Sequence, residues 1–388
     1  MKLLVVTSRF PFPIERGDKL RAYHQIRQLA SRHEVVLVAL SEHEVPAEHL
    51  ARLEDLCARV HVVRRSRFTT LASVATAPLR RLPLQVGYFQ AASVQAEVRA
   101  IVERERPDHV YCQLVRTAEL ARDLHVPCTI DYQDAFSAAA RRRAAHSVWG
   151  LRQVLEREAD AVARYEAQAF GWFDRHVIIS AQDRQLLDFP GAEKVEVLPN
   201  GVDTEFFHPG PTAADARDLV FVGNMGYPPN VAAATVLAEE VLPLVQRERP
   251  ATDLLIAGAR PARAVRRLAG PQVEVTGWMD DIRTGYRRGR VLVAPLSIGA
   301  GQQNKILEAM AMGVPCVTTE LVNGAIGAER GRHLHLAASP TEFAARSLEL
   351  LHDPDAHRRM AEAALEFVRE RFSWEAVGDQ LDGVLTGR

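Results

Sequence analysis

Apolar residues along this chain fall into two recurring patterns: short continuous runs, and longer stretches with an apolar position every three or four residues. Residues 2–7 (KLLVVT) and 34–40 (EVVLVAL) are continuous runs, which are typical of parallel strands buried on both faces. Between them, apolar positions recur at helical spacing, and Asp18 is placed to cap this helix. The N-terminal segment therefore predicts a strand, a helix and a second strand.

The same alternation continues along the chain and starts afresh after a stretch rich in proline, glycine and alanine at 205–217. Two alternating series predict two doubly wound α/β domains. One long charged helix is predicted at 138–170. The remaining predicted strands are 60–63, 108–112, 127–131, 176–180, 195–198, 218–222, 254–258, 273–277, 291–295, 316–318 and 333–336.

Length and composition agree with this architecture and exclude several classes of protein. A chain of 388 residues exceeds one typical core, and 47% hydrophobic with 25% charged residues is ordinary for a globular protein. A net charge of −1 gives no general attraction to nucleic acid. The four cysteines are scattered, which favours a reducing cytosol over a disulfide framework. The N-terminal run is broken by Arg9 and no 18-residue apolar span occurs, so neither a signal peptide nor a membrane span is expected.

The stretch 297–319 carries the residues best suited to chemistry. A glycine loop, 299–301, precedes a helix predicted at 304–312, on which Lys305 and Glu308 share one polar face. The start of a helix favours an anion, and a carboxylate there can accept hydrogen bonds from two sugar hydroxyls. The pair suits a nucleoside diphosphate sugar, with Lys305 for the phosphates and Glu308 for the ribose. A solvated ion pair on an ordinary helix is the alternative.

The string GxxxxxKxLEAMAxGxPxV in this stretch resembles the donor-binding motif of glycosyltransferase family 4, and QNKILEAMAMG is similar to sugar transferases associated with exosortase (PEP-CTERM) exopolysaccharide systems. The resemblance implies the GT-B fold, in which two Rossmann-like domains face each other across a cleft, and retaining sugar transfer. It further implies an acceptor-side domain at 1–204, a nucleotide-sugar donor domain at 205–372 and a helix at 373–388 that crosses back to the first domain. No acidic DxD motif occurs at a strand end, so no metal or other cofactor is expected.

The resemblance assigns further substrate contacts in the second domain. FVGxMxxxPN is similar to the opening of the donor domain, and Gly277 and Trp278 fall where family members hold the nucleobase. Two positions depart from the common pattern, since Asn224 replaces an arginine and Ala300 replaces a sugar-contacting glutamate. With Lys305 and Glu308 as candidate catalytic residues, the predicted substrate-binding residues of this domain are Gly223, Asn224, Gly277, Trp278, Gly299, Ala300, Gly301, Gln302, Gln303 and Asn304.

The first domain contributes two loops to the expected site. PFPxxxGDKxR resembles the first loop of the same transferases, which implies that Gly17 admits a ligand close to the backbone. In the loop after residue 131, Gln133 stands where many family members have a sugar-contacting histidine, while Asp134 is retained as a third candidate catalytic residue. A helix cap is the alternative role for Asp134. The other substrate-binding residues predicted in this domain are Asp18, Lys19 and Arg21.

The segment 64–90 interleaves arginines with large apolar residues. Such a segment can lie on an anionic membrane or hold a lipid-linked acceptor, and a core-packed insertion with a basic rim is the alternative. The expected partners are a nucleotide-sugar donor and a glycan or lipid-linked acceptor, with possible membrane contact through 64–90 and no nucleic acid. The expected location is the cytoplasm, either free or peripheral on the inner face of the cell membrane.

The sequence therefore predicts a retaining transferase of the hexosyltransferase type, which moves a sugar from a nucleoside diphosphate to a polysaccharide or lipid-linked glycan. Exopolysaccharide or cell-surface glycan synthesis is the expected setting. Two alternatives stay open: a sugar-nucleotide 2-epimerase of the same fold, and a non-catalytic subunit that binds a nucleotide sugar.

Overall fold

The computed structural model describes residues 1–14, 16–145, 147, 149–211, 213–297 and 301–388. The chain divides into two compact units. The first unit comprises Met1–Pro199 together with Val377–Arg388, and the second comprises Asn200–Ala376. The unit boundary at Pro199 lies five residues before the boundary predicted after residue 204. The expected fold class, two doubly wound α/β domains, is confirmed.

The first unit is built on a seven-stranded sheet in the order β3-β2-β1-β4-β5-β6-β7, with all recorded pairings parallel. Its strands are β1 (Lys2–Thr7), β2 (Glu34–Ser41), β3 (Arg59–Arg64), β4 (His109–Gln113), β5 (Cys128–Asp131), β6 (Arg175–Ile178) and β7 (Glu196–Val197). Its helices are α1 (Gly17–Ala30), α2 (Ala47–Glu54), α3 (Arg67–Thr76), α4 (Leu84–Gly87), α5 (Ala92–Glu105), α6 (Ala118–Ala121), α7 (Phe136–Ala145), α8 (Trp149–Phe170) and α9 (Ala181–Gln185).

The second unit repeats this arrangement with a six-stranded parallel sheet in the order β10-β9-β8-β11-β12-β13. Its strands are β8 (Arg217–Val222), β9 (Leu254–Ala257), β10 (Val273–Val275), β11 (Gly289–Ala294), β12 (Cys316–Thr318) and β13 (His335–Leu336). Its helices are α10 (Pro228–Val236), α11 (Leu242–Glu248), α12 (Arg263–Arg266), α13 (Arg283–Arg287), α14 (Asn304–Ala311), α15 (Glu320–Asn323), α16 (Pro340–His352) and α17 (Pro354–Phe372), and α18 (Trp374–Thr386) leads into the first unit.

The central strands form because their continuous apolar runs are buried on both faces. Every residue of Leu3–Val6 in β1 and of Leu219–Val222 in β8 is at most 2% exposed. In both sheets the strand order reverses direction beside the first strand of the unit, which leaves a crevice at the carboxyl ends of the central strands. Ligands of open α/β sheets bind in such crevices, so each sheet positions its loops for a site.

Helix starts agree with the sequence patterns only in part. Ser180 caps α9, because its hydroxyl accepts a hydrogen bond from the backbone N–H of Asp183 at 3.0 Å. The prediction that Asp18 caps the first helix is wrong: α1 begins at Gly17, and the Asp18 carboxylate binds Arg9 at 2.6 Å. The prediction of one helix at 138–170 is also wrong, since this segment contains the end of α7 and all of α8, which pack against each other.

No helix in the described part of the chain is long and apolar enough to cross a bilayer. All four cysteines are buried free thiols, as the absence of a disulfide pattern predicted.

Candidate functional site

A cavity of about 500 Å³ lies in the second unit at the carboxyl ends of β8 and β9. The start of α14 forms one wall, and the loop that follows β10 forms another. The lining residues are Phe206, Val222, Gly223, Asn224, Tyr227, Asn230, Gly258, Ala259, Trp278, Met279, Asp280, Ile282, Tyr286, Gln303, Asn304, Lys305 and Glu308. The cavity therefore brings together five of the ten substrate-binding residues predicted in this domain, along with Lys305 and Glu308.

Lys305 points its ammonium group toward the end of β8. Its Nζ donates to Asn230 Oδ1 at 2.5 Å and lies 5.0 Å from the centre of the Phe221 ring. Burial lowers the pKa of Lys305 to about 8, and the attraction of Glu308 opposes that change only in part. The side chain keeps partial solvent contact through the cavity. The ammonium is poorly solvated, and its recorded hydrogen-bond partner among the described residues is a neutral amide. An anion that enters the cavity would therefore stabilise it.

Glu308 lies one turn after Lys305 on α14, and its carboxylate also reaches the cavity. The Tyr286 hydroxyl donates a hydrogen bond to Glu308 Oε2 at 2.6 Å. Burial raises the pKa of Glu308, while the bond from Tyr286 and the positive charge of Lys305 lower it. The bond from Tyr286 fixes the orientation of the carboxylate and leaves Oε1 available to a hydroxyl donor.

Glycines form the floor of the cavity where two backbone segments touch. Gly258 has a φ of +136°, and a Cβ at this position would lie 1.9 Å from the carbonyl oxygen of Gly223. A Cβ on Gly223 would lie 2.9 Å from the Asn230 side chain. The Asn230 amide nitrogen also donates to the carbonyl oxygen of Asn224 at 2.9 Å, and Asn224 Oδ1 accepts from the Gly226 N–H at 3.0 Å. These contacts hold the β8 loop beneath the Lys305 ammonium.

The loop after β10 supplies an aromatic wall. Trp278 is 75% exposed, and its indole N–H donates to Asp280 Oδ1 at 3.1 Å. Gly277 has a left-handed backbone with φ +79°, and its carbonyl oxygen accepts from Gly258 N and from the Thr276 hydroxyl. That oxygen is therefore already engaged, while the Trp278 ring presents an open face to the cavity.

The remaining residues of the glycine loop and helix start differ in where the structure places them. Gln303 and Asn304 line the cavity. Gln302 does not: its amide makes a reciprocal pair with the backbone of Asn200, at 2.8 Å and 2.7 Å, so the structure gives it a positioning role. Gly301 takes a left-handed φ of +89° just before the helix. The predictions for Gly299 and Ala300 lie outside the described residues.

Arg21 lies in the core of the first unit rather than at a surface. It is 1% exposed, its Nε donates to Asp131 Oδ2 at 2.7 Å, and its other nitrogens donate to the carbonyl oxygens of Leu198 and Pro199. The structure therefore does not support the predicted substrate contact of Arg21. Its guanidinium instead ties the end of β5 to the end of the first unit.

Gln133 and Asp134 follow β5 at the carboxyl edge of the first sheet. Gln133 has a left-handed φ of +59°, is 6% exposed, and its Nε2 has no hydrogen-bond partner in the described part of the chain. Part of Asp134 is exposed to solvent. The burial of its carboxyl group and the negative charge of Asp183 raise its pKa to about 6. A buried amide without a partner and a carboxyl group that titrates near neutral pH are features common at binding sites.

The first-loop residues are dispersed. Lys19 lines a second cavity of about 520 Å³ and donates to the Phe12 carbonyl oxygen at 3.1 Å. Asp18 is bound to Arg9. A Cβ added at Gly17 would meet no atom of the described residues within 4 Å outside its own stretch of chain. The structure thus leaves room beside Gly17 for a ligand but engages both neighbouring charges with protein atoms.

Sequence reasoning missed Asn230 and Tyr286 as site residues. The helix α10 begins two residues before Asn230, at Pro228, and the Asn230 side chain points toward Lys305. The asparagine that ends the FVGxMxxxPN string was the available signal. Tyr286 sits on the short α13 and has no sequence signal, because only the fold places it beside Glu308.

No cluster of three or more His, Cys, Asp or Glu side chains suited to a metal ion occurs among the residues whose placement is described. The prediction that the site needs no metal stays a prediction.

Residues 216–353, which lie within the second unit, match the family model described as glycosyl transferases group 1. A Klebsiella pneumoniae protein described as an uncharacterized 44.6 kDa protein in the cps region is 23% identical over 398 residues, and the alignment covers 97% of each chain.

Solved structures resemble the whole chain. Anabaena HepE, in a crystal structure with UDP and glucose, is 15% identical with a TM-score of 0.70, and all of both chains is covered. Sucrose-phosphate synthase from Thermosynechococcus elongatus is 15% identical with a TM-score of 0.67, covering 100% of this chain and 98% of its own. These likenesses establish the GT-B fold, and together with the family-model match they support a glycosyltransferase.

Proposed function

We propose that this protein is a retaining glycosyltransferase of family 4 that uses a nucleoside diphosphate sugar as its donor. The observation that carries the proposal is the placement of Lys305 and Glu308 on one turn of α14, both lining the cavity at the carboxyl end of β8. Lys305 binds the diphosphate there, and Glu308 accepts hydrogen bonds from the ribose hydroxyls. Trp278 borders the space for the base.

In the proposed reaction, the bond between the anomeric carbon and the diphosphate oxygen breaks, and a bond to an acceptor hydroxyl oxygen forms. The electron pair of the broken bond stays on the diphosphate, so negative charge grows next to Lys305. The acceptor hydroxyl passes its proton to the departing diphosphate oxygen as the new bond forms, so atoms and charge balance. Stabilisation of charge that develops during bond cleavage lowers the barrier, and Lys305 together with the start of α14 supplies it.

The acceptor that we propose is a polysaccharide or a lipid-linked glycan, with a hexose as the transferred sugar. The Klebsiella relative is described by its place in the cps region, which supports a role in polysaccharide synthesis. HepE has been crystallised with UDP-glucose, which makes UDP-sugars the first donors to test on this chain. Gln133 and Asp134 of the first unit stay proposed substrate contacts.

A thermal-shift panel of UDP, GDP, ADP and their sugars tests the donor proposal. A ligand that binds only the folded state stabilises it in proportion to the logarithm of its concentration over its Kd. We expect one base to stabilise the protein, and the corresponding diphosphate to compete with its sugar. No shift with any member up to millimolar concentration would contradict the proposal.

Product analysis separates the proposed enzyme from its two alternatives. A transferase releases nucleoside diphosphate at a rate that rises with acceptor concentration. A 2-epimerase converts the donor into its isomer without any acceptor, and a non-catalytic subunit binds the donor but leaves it unchanged under both conditions.

A further inference from the structure

The helix α3 presents Phe68 and Leu71 to solvent and Thr70 and Ser73 to the protein. Phe68 is 85% exposed and Leu71 is 69% exposed, whereas Thr70 and Ser73 are 7% and 8% exposed. Leu79, in the turn that follows the helix, is 86% exposed. This arrangement is the reverse of the pattern by which a surface helix of a globular protein buries its apolar face.

Close packing on the inner side prevents the helix from turning over. A Cβ at Gly87 of α4 would lie 2.5 Å from the Ala77 side chain, so the two helices touch through small residues. The Ser73 hydroxyl donates to the carbonyl oxygen of Gln90 at 2.9 Å, which fixes the rotation of α3. The apolar stripe therefore faces outward because of specific contacts on the inner side of α3.

Positive charge surrounds the stripe. Residues 64–90 contain no aspartate or glutamate. Four of the five arginines in the segment are exposed, and the fifth, Arg65, is buried against Tyr88 and paired with Glu42 at 2.5 Å. The exposed arginines are Arg64, Arg67, Arg80 and Arg81. An apolar stripe bordered by cations matches a bilayer surface that has an apolar interior beneath anionic head groups.

We propose that the surface formed by residues 64–81 docks on an anionic lipid bilayer, with Phe68, Leu71 and Leu79 inserted among the acyl chains and the exposed arginines among the head groups. Charge complementarity favours this occupant over a second copy of the chain, because two copies would bring like charges together. The proposal does not depend on the chemistry of the cavity in the second unit.

Flotation of the full-length protein with vesicles tests this proposal. We expect binding to vesicles of phosphatidylcholine with phosphatidylglycerol, much weaker binding to phosphatidylcholine alone, and release as salt is raised. Each arginine near an anionic surface contributes about fivefold to the partition coefficient, so Arg67→Gln/Arg81→Asn should lower it by roughly 25-fold. Asparagine suits position 81 because Arg81 has a φ of +57°.

The matched control is Arg263→Gln/Arg267→Asn, which changes two exposed arginines, one at the start of α12 and one directly after its end, in the second unit. It removes the same net charge and should leave vesicle binding unchanged. An equal loss in both double variants would show a general charge effect and overturn the proposal.

The apolar contribution is tested by Phe68→Ser/Leu71→Ser, which should bind vesicles at least tenfold more weakly while its thermal unfolding is unchanged, because both side chains are exposed. Unaltered binding by this variant would overturn the proposal. The proposal would also be overturned if the wild-type protein does not bind vesicles and sediments as a dimer, and the same two substitutions dissociate that dimer. The surface would then join two copies of the chain.

Discussion

The Lys305 ammonium gives the sharpest prediction, because its environment in the ligand-free protein is unfavourable. Burial lowers its pKa from 10.5 to about 8. The difference corresponds to about 3 kcal/mol of destabilisation at pH 7, where the side chain is charged in both the folded and the unfolded state. Because the folded-state pKa is the lower one, this penalty is present below about pH 8 and fades as the pH rises toward 10.5.

Replacing Lys305 by methionine should therefore stabilise the ligand-free protein while weakening its binding of nucleoside diphosphate. The substitution leaves Asn230 Oδ1 without its 2.5 Å partner, which costs about 1 kcal/mol, so the net gain in unfolding free energy is about 2 kcal/mol. Loss of one charge-assisted hydrogen bond to phosphate is worth about 1.5–3 kcal/mol, or roughly 10- to 150-fold in Kd. Chemical denaturation and calorimetric titration measure the two effects.

The pH dependence of binding gives an independent test of the same reasoning. If only the charged form of Lys305 binds diphosphate, Kd should rise about tenfold between pH 7 and pH 9, since the free ammonium titrates near 8. Lys305→Arg serves as the control, because a guanidinium stays charged across this range and any titration of the ligand affects both proteins equally. Two results together would refute the phosphate role. One is a ratio of Kd between wild type and Lys305→Arg that does not change with pH, and the other is a Lys305→Met variant that is less stable than wild type.

Other expectations follow from neighbouring contacts. Tyr286→Phe removes the 2.6 Å bond to Glu308 and should weaken nucleoside diphosphate binding roughly tenfold, with less effect on the 2′-deoxy analogue if Glu308 holds the ribose; an equal loss for both ligands would argue against that role. Gly258→Ala should lower the unfolding free energy by more than about 3 kcal/mol because of its 1.9 Å clash, whereas Gly331→Ala, which is strained only by its φ of +80°, should lose about 1–2 kcal/mol in the same denaturation assay. Asp134, with a pKa raised to about 6, should make the transfer rate fall below pH 6 if its carboxylate form is required, and the pH–rate profile of Asp134→Asn should then lack that limb.

Local patterns along the chain are enough to predict the two alternating α/β series and the stretch that carries Lys305 and Glu308. Buried parallel strands require continuous apolar runs, so β1 and β8 are visible as uninterrupted hydrophobic segments. The helical spacing of Lys305 and Glu308 is also a local property, which places both on the same face of α14 before any packing is known.

The partners of these residues, in contrast, depend on the folded arrangement of distant segments. Tyr286 reaches Glu308 across 22 positions of the chain, and Asn230 reaches Lys305 across 75. Arg21 was predicted to bind substrate because it belongs to the PFPxxxGDKxR string. Its ion pair with Asp131 instead places it in the core. Long-range contacts of this kind depend on which strands become neighbours in the sheet, and spacing along the sequence carries no record of that. The outward direction of Phe68 on α3 likewise follows from packing against α4, because the apolar pattern alone fits a buried face equally well.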